Sequence, residues 1–160
     1  MHKSKIKKMT PLSTPLTLAM GTQIGWALLN QGIVTSGSLA FKNDRHQGSR
    51  TRSFLFSKWL DEKQTLAGGI LSEVYFKESR QHLGGVSYWN NDFLAVLVEW
   101  CESEGIPYEG VYVGTIKHHA TGKRNANKQD VITAMQAKGY QPRENTEADA
   151  LALLEWVGDQ

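Results

Sequence analysis

Between Leu16 and Phe41 apolar residues come in three short runs, LTLAM, GWALL and IVTSGSLAF, separated by GTQI and NQG. Gly-containing turns at that spacing predict an antiparallel meander. The period changes after Gly48. Phe54, Leu55, Trp59 and Leu66 recur near helical spacing with Arg50, Arg52, Lys58 and Glu62 between them, which predicts an amphipathic helix with a basic start. ILSEVYF is rich in β-branched and aromatic residues and predicts a strand, with KESRQHLGG as a polar loop after it. Val86, Trp89, Phe93, Leu97, Trp100 and Cys101 mark the apolar face of a long helix. EGVYVG predicts a short buried strand, and TIKHHA a short helix that TGKRNAN breaks. Asn127, with Asp130 three residues on, predicts a capped helix ending at Gly139. A last helix is expected from near Thr146, with Leu151, Leu154 and Val157 turned inward.

Three strands, helix, strand, helix, strand, then helices describe an α/β fold with a mixed sheet covered on both faces. A chain of 160 residues has the volume of one core. Residues 1–14 carry Lys3, Lys5, Lys7 and Lys8 without an acid and hold Pro11, with Pro15 next. They read as a flexible basic arm ahead of a single domain over 15–158. No apolar run reaches membrane-spanning length and nothing at the start resembles a secretory signal. Cys101 is the one cysteine, which excludes an internal disulfide and a cysteine-based zinc site. Its place on an apolar helical face predicts a buried thiol and a reducing setting.

Net charge is only +2, but it is unevenly spread. From Gly110 to Gln129 there is no acid, while Lys117, Lys123, Arg124 and Lys128 all occur, with His118 and His119. Such a patch attracts polyanions, nucleic acid above all. TGKRNANK lacks the GxxxxGK[ST] order of a nucleotide-binding P-loop, so grip on nucleic-acid phosphates suits it better. Arg80 and His82 share a polar loop where phosphate contact is also chemically sensible.

Glu73 lies inside the apolar run ILSEVYF, where a charge is costly without a partner or metal unless it faces solvent. ENTEADALALL adds Glu144, Glu147 and Asp149 before an apolar helix. There Thr146 as N-cap and Asp149 at the third helical position would satisfy helix-start hydrogen bonds. Taken together, acids from different elements suit two-metal phosphodiester hydrolysis, in which carboxylates hold two divalent ions about 3.5–4 Å apart. Hard oxygen ligands select Mg²⁺ or Mn²⁺.

The succession GTQIGWAL, SEVYF, WCESEGIPYEGVYVGTIKHHATGKRNANK and NTEADALALLEW resembles the phage-type branch of the RuvC-type Holliday junction resolvases, from Leu16 to Trp156. The resemblance implies a ribonuclease H-like fold: a five-stranded mixed sheet, three strands antiparallel and the rest parallel, flanked by helices. It implies a homodimer that nicks four-way junctions symmetrically with two Mg²⁺ or Mn²⁺ ions per active site, in the cytoplasm of a phage-infected or prophage-carrying bacterium or at its nucleoid. Carried over, Glu73 matches the second catalytic acid, Asp149 the final one, and Glu147 of EAD the remaining role. Lys117, Lys123 and Lys128 fall in the segment expected on DNA phosphate.

Ala19 departs from the pattern. The family has Asp there, in a DxGT order, bridging both metals. The expectation is therefore a junction-resolving endonuclease inactivated at Ala19. Two alternatives stand beside it: a less specific phage branched-DNA or flap endonuclease, and a non-catalytic junction-binding protein. The alanine has two candidate origins, replacement by hand to trap a complex or natural degeneracy. The retention of Glu73, Glu147 and Asp149 favours the first.

Overall fold

The computed structural model describes residues 13–21, 23–41, 49–79 and 92–160. Three strands open it: β1 (Pro15–Met20), β2 (Ile24–Asn30) and β3 (Ile33–Leu39). Then come α1 (Ser49–Leu66), β4 (Glu73–Glu78), α2 (Asp92–Glu104), β5 (Tyr108–Tyr112), α3 (Val113–Thr121), α4 (Lys128–Ala137) and α5 (Asn145–Gly158). The strands form one five-stranded sheet in the order β3-β2-β1-β4-β5. β1 to β3 pair antiparallel as the meander expected from the sequence, while β4 joins β1 and β5 joins β4 in parallel. Parallel neighbours need long crossovers, and α1 and α2 supply them.

Alternation along the strands divides the core in two. Leu16, Leu18, Val74 and Phe76 face α1 and α2, where they meet Phe56, Leu60, Leu97 and Cys101. Phe56 stacks on Trp59 and meets Phe93 edge-on. Ala19, Ala27, Tyr75 and Val111 point the other way, into a cluster built with α3, α4 and α5. The helix at its centre is α5, with every residue from Thr146 to Leu154 buried. A helix apolar nearly all round belongs inside a core.

Two contacts fix how α5 lies on the sheet. A Cβ on Gly25 would stand 2.0 Å from the Thr146 carbonyl oxygen, so only glycine lets the first turn of α5 come this close to β2. The buried Thr17 hydroxyl donates to the Ala150 carbonyl at 2.7 Å, which pins the second turn over β1. α5 therefore runs back along β1, with its N-terminus at the strand's C-terminal end.

Several boundaries differ from the sequence reading: β5 is mostly half-buried and stops at Tyr112, with Val113 and Gly114 opening α3 instead, and two further differences bear on the site. β4 begins three residues later than ILSEVYF and ends two residues later, because Lys77 and Glu78 pair with Val111 and Tyr112 of β5 rather than entering a loop. The N-cap of α5 is Glu144, not Thr146: its carboxylate accepts from the backbone N–H groups of Thr146 and Glu147 at 2.8 Å each. The capping box of Asn127 and Asp130 on α4 is present. Cys101 is fully buried, and that burial, with Glu102 nearby, pushes its thiol up to about 12. Arg80, His82, Val86, Trp89 and residues 1–12 of the basic arm lie outside the described residues.

Candidate active site

The strand register decides which side chains meet Ala19. β1 and β4 pair in parallel with Pro15 opposite Glu73, Thr17 opposite Tyr75 and Leu18 opposite Phe76. One step further along both strands, the residues level with each other are Ala19 and Lys77. Both side chains are on the α5 face, where alternation also puts Thr17 and Tyr75. α5 brings Asp149 to the same place: the Lys77 ammonium donates to its Oδ2 at 2.8 Å, with only 13% and 11% of the two side chains exposed.

Glu73 is not in this group. It stands level with Pro15, four residues short of Ala19, which at 3.3 Å per residue is about 13 Å away. Its carboxylate accepts from the Tyr75 hydroxyl. Burial first, and that hydrogen bond next, hold the Tyr75 hydroxyl well above its ordinary range, so it stays a donor. Glu73 as the second metal acid is thus a placement the strand register does not support. The residue at the corresponding level of β4 is a lysine.

Glu147 is buried on α5 but turned elsewhere. Two residues from Asp149, it points about 200° around the helix. Its Oε2 accepts from the Ser36 hydroxyl of β3 at 2.7 Å and its Oε1 from the Arg143 backbone N–H at 3.0 Å. One oxygen ties the start of α5 to β3 and the other holds the segment that leads into the helix. Glu144 is likewise spent as the N-cap, with the Thr146 hydroxyl donating to it as well.

A two-ion centre does not fit these side chains. Among the described residues no three His, Cys, Asp or Glu side chains converge as a metal site. Ala19 offers no oxygen, and Asp149, which bonds the lysine level with Ala19, is already neutralised by that ammonium. At an effective dielectric of 20, unit charges 4 Å apart interact by about 4 kcal/mol, and a dication there would meet about twice that in repulsion from the ammonium.

The basic segment forms a separate surface. Gly122, with φ +85, ends α3 in the left-handed conformation, and its N–H bonds back to the His118 carbonyl. The Thr121 hydroxyl accepts from the Lys123 N–H at 3.1 Å, shaping the turn. Lys123, Arg124 and Lys128 are exposed beyond it and Lys117 is half-buried on α3. Among the described residues none of the four pairs with a carboxylate. His119 meets Asp159 at 2.8 Å, which sets the end of α3 beside the C-terminus of α5. Asp149 and Asp159 are ten residues apart on the sequence, about 15 Å along a helix axis. The basic turn and the Lys77–Asp149 pair therefore sit toward opposite ends of α5.

No family model matches the chain, and no curated protein does. Solved structures do. Thermus thermophilus RuvC superimposes with a TM-score of 0.63 at 18% identity, over 87% of this chain and 89% of that one. The same organism's RuvC in complex with a Holliday junction substrate gives 0.65 at 17% identity, over 88% and 89%. At such identity the likeness speaks for architecture. The chain has the RuvC-like, ribonuclease H-like fold: a five-stranded mixed sheet with helices on both faces.

Proposed function

We propose that this protein binds branched DNA, four-way junctions foremost, as a phage-type RuvC-like domain, and that in this sequence it does not cut them by two-metal hydrolysis. The observation that carries the second clause is the trio of Ala19, Lys77 and Asp149: one carboxylate, one ammonium and one methyl group where an acidic cluster is needed. The first clause rests on the fold, on the likeness to a resolvase solved with its junction, and on a solvent-facing turn of unpaired cations. Phosphate contacts position such a protein, while junction shape selects the substrate. The acting unit is a homodimer, since a two-fold assembly matches the two-fold symmetry of a four-way junction.

The test uses a labelled four-way junction and a linear duplex of equal length, titrated across a salt series with and without Mg²⁺. Tighter binding of the junction and intact strands after incubation are expected. Equal affinity for the duplex removes the junction reading. Paired nicks in Mg²⁺ return the protein to the active resolvases, and cutting of flaps in preference to junctions returns it to the less specific nucleases. Light scattering on the free protein checks the dimer.

A further inference from the structure

We infer that the Lys77 ammonium is a built-in cation standing where a divalent metal would otherwise sit beside position 19, so that this site stays closed to Mg²⁺ and Mn²⁺ even when position 19 is given an acid.

Three observations converge on it. The register sets Lys77 level with Ala19 on the adjacent parallel strand, with both side chains under α5. The ammonium bonds Asp149 at 2.8 Å in a mostly buried setting, so one positive and one negative charge close on each other and leave no net attraction for a dication. Glu147, the other buried acid of α5, points away from Asp149 and has both oxygens engaged by Ser36 and by the Arg143 N–H. An aspartate added at position 19 would find Lys77 already there as its counter-ion.

Lys77 also bears on the origin of Ala19. Replacement of one aspartate by hand leaves its neighbours as they were. Here the facing residue is itself basic and is joined to the surviving acid by an ion pair. A lysine already paired with Asp149 beside a neutral position 19 points to a natural form of the domain in which an internal salt bridge replaced a metal centre. This inference rests on the RuvC-like reading of the site but not on DNA binding. Its test uses protein alone, so loss of junction affinity and loss of this inference are separate outcomes.

The experiment is a Mn²⁺ titration followed by calorimetry and by the shift of the thermal midpoint. The parent chain, Ala19→Asp, Ala19→Asp/Lys77→Glu and Asp149→Asn are compared. The parent and Ala19→Asp are expected to show no saturable binding at millimolar Mn²⁺. Ala19→Asp/Lys77→Glu is expected to bind at least about tenfold more tightly than either and to rise in thermal midpoint with metal. Should that variant fail to fold, Ala19→Asp/Lys77→Ser removes the ammonium with a smaller change of charge and is expected to gain Mn²⁺ binding too. Two results overturn the inference: Mn²⁺ binding by the parent that Asp149→Asn abolishes, or binding by Ala19→Asp equal to that of the variants lacking Lys77.

Discussion

Gly25 sets how closely α5 can approach the sheet, and through α5 it sets where Asp149 lies. Its missing side chain faces backbone atoms of Thr146 and Glu147, none of which is the flexible end of a side chain. Gly25→Ala is therefore expected to destabilise the fold by about 3 kcal/mol, the upper end of overpacking costs. For a chain of this size that lowers the thermal midpoint by roughly 6–12 °C. A melt within a degree or two of the parent would show that α5 can lift off without penalty. Cys101 ties stability to pH. Burial raises its thiol from an ordinary value near 9 to about 12, so the folded state keeps a proton that the unfolded chain releases. The resulting stability is complete below pH 9 and shrinks by about 1.4 kcal/mol per pH unit above it, until the folded thiol itself ionises near 12. The difference in unfolding free energy between the parent and Cys101→Ala should thus narrow by about 1.4 kcal/mol between pH 8 and pH 10. Taking the difference cancels the tyrosines, which are unchanged between the two proteins. A constant difference would contradict the buried, neutral thiol.

A mostly buried ion pair joins β4 to α5. Lys77 and Asp149 come from a strand and a helix 72 positions apart, and their pair is held mostly out of water. Removing one partner of such a pair leaves an uncompensated charge, whereas replacing both by apolar groups is often neutral. Lys77→Met is accordingly expected to cost about 3 kcal/mol in urea unfolding, and Lys77→Met/Asp149→Leu to recover most of it. Additive losses in the double variant would mean that the two charges do not act as a unit. The same elements show what the sequence reveals and what it hides. Alternating runs and Gly turns made the meander legible, and Asn127 with Asp130 marked the start of α4 correctly. The end of β4 was not legible, because KES has the composition of a loop and only pairing with β5 keeps it extended. Those two extra residues put Lys77 inside the strand and level with Ala19, whereas Glu73, the charged member of the apolar run, is level with Pro15. The start of α5 was hidden in a similar way. Thr146 is the better N-cap by propensity, but Glu144 reaches two N–H groups at once and wins. The resemblance alone names Asp149 and Ala19 as site positions. Their shared neighbour, a lysine, needed the register.

Across the whole molecule the charges divide into those used internally and those left for a partner. Lys77 is held by Asp149 and Lys138 by Glu155 at 3.3 Å, while Lys123, Arg124 and Lys128 project from the α3–α4 turn. A net charge of +2 understates this surface, since the partnered cations contribute little to the field outside. DNA laid on the turn exchanges condensed counterions for these side chains, so affinity falls with salt in proportion to the phosphates met. If Lys117, Lys123, Arg124 and Lys128 each neutralise one phosphate, the slope of log affinity against log salt is about −3.6. Lys123→Ala/Arg124→Ala is expected to flatten that slope by about 2 and to weaken junction and duplex binding alike. Lys77→Gln removes the same kind of charge, but one already spent on Asp149, and should leave the slope unchanged. Fluorescence anisotropy between 50 and 200 mM salt separates the cases. A slope that responds to Lys77 and not to Lys123 and Arg124 would place the DNA on the opposite end of α5, over the salt bridge rather than over the basic turn.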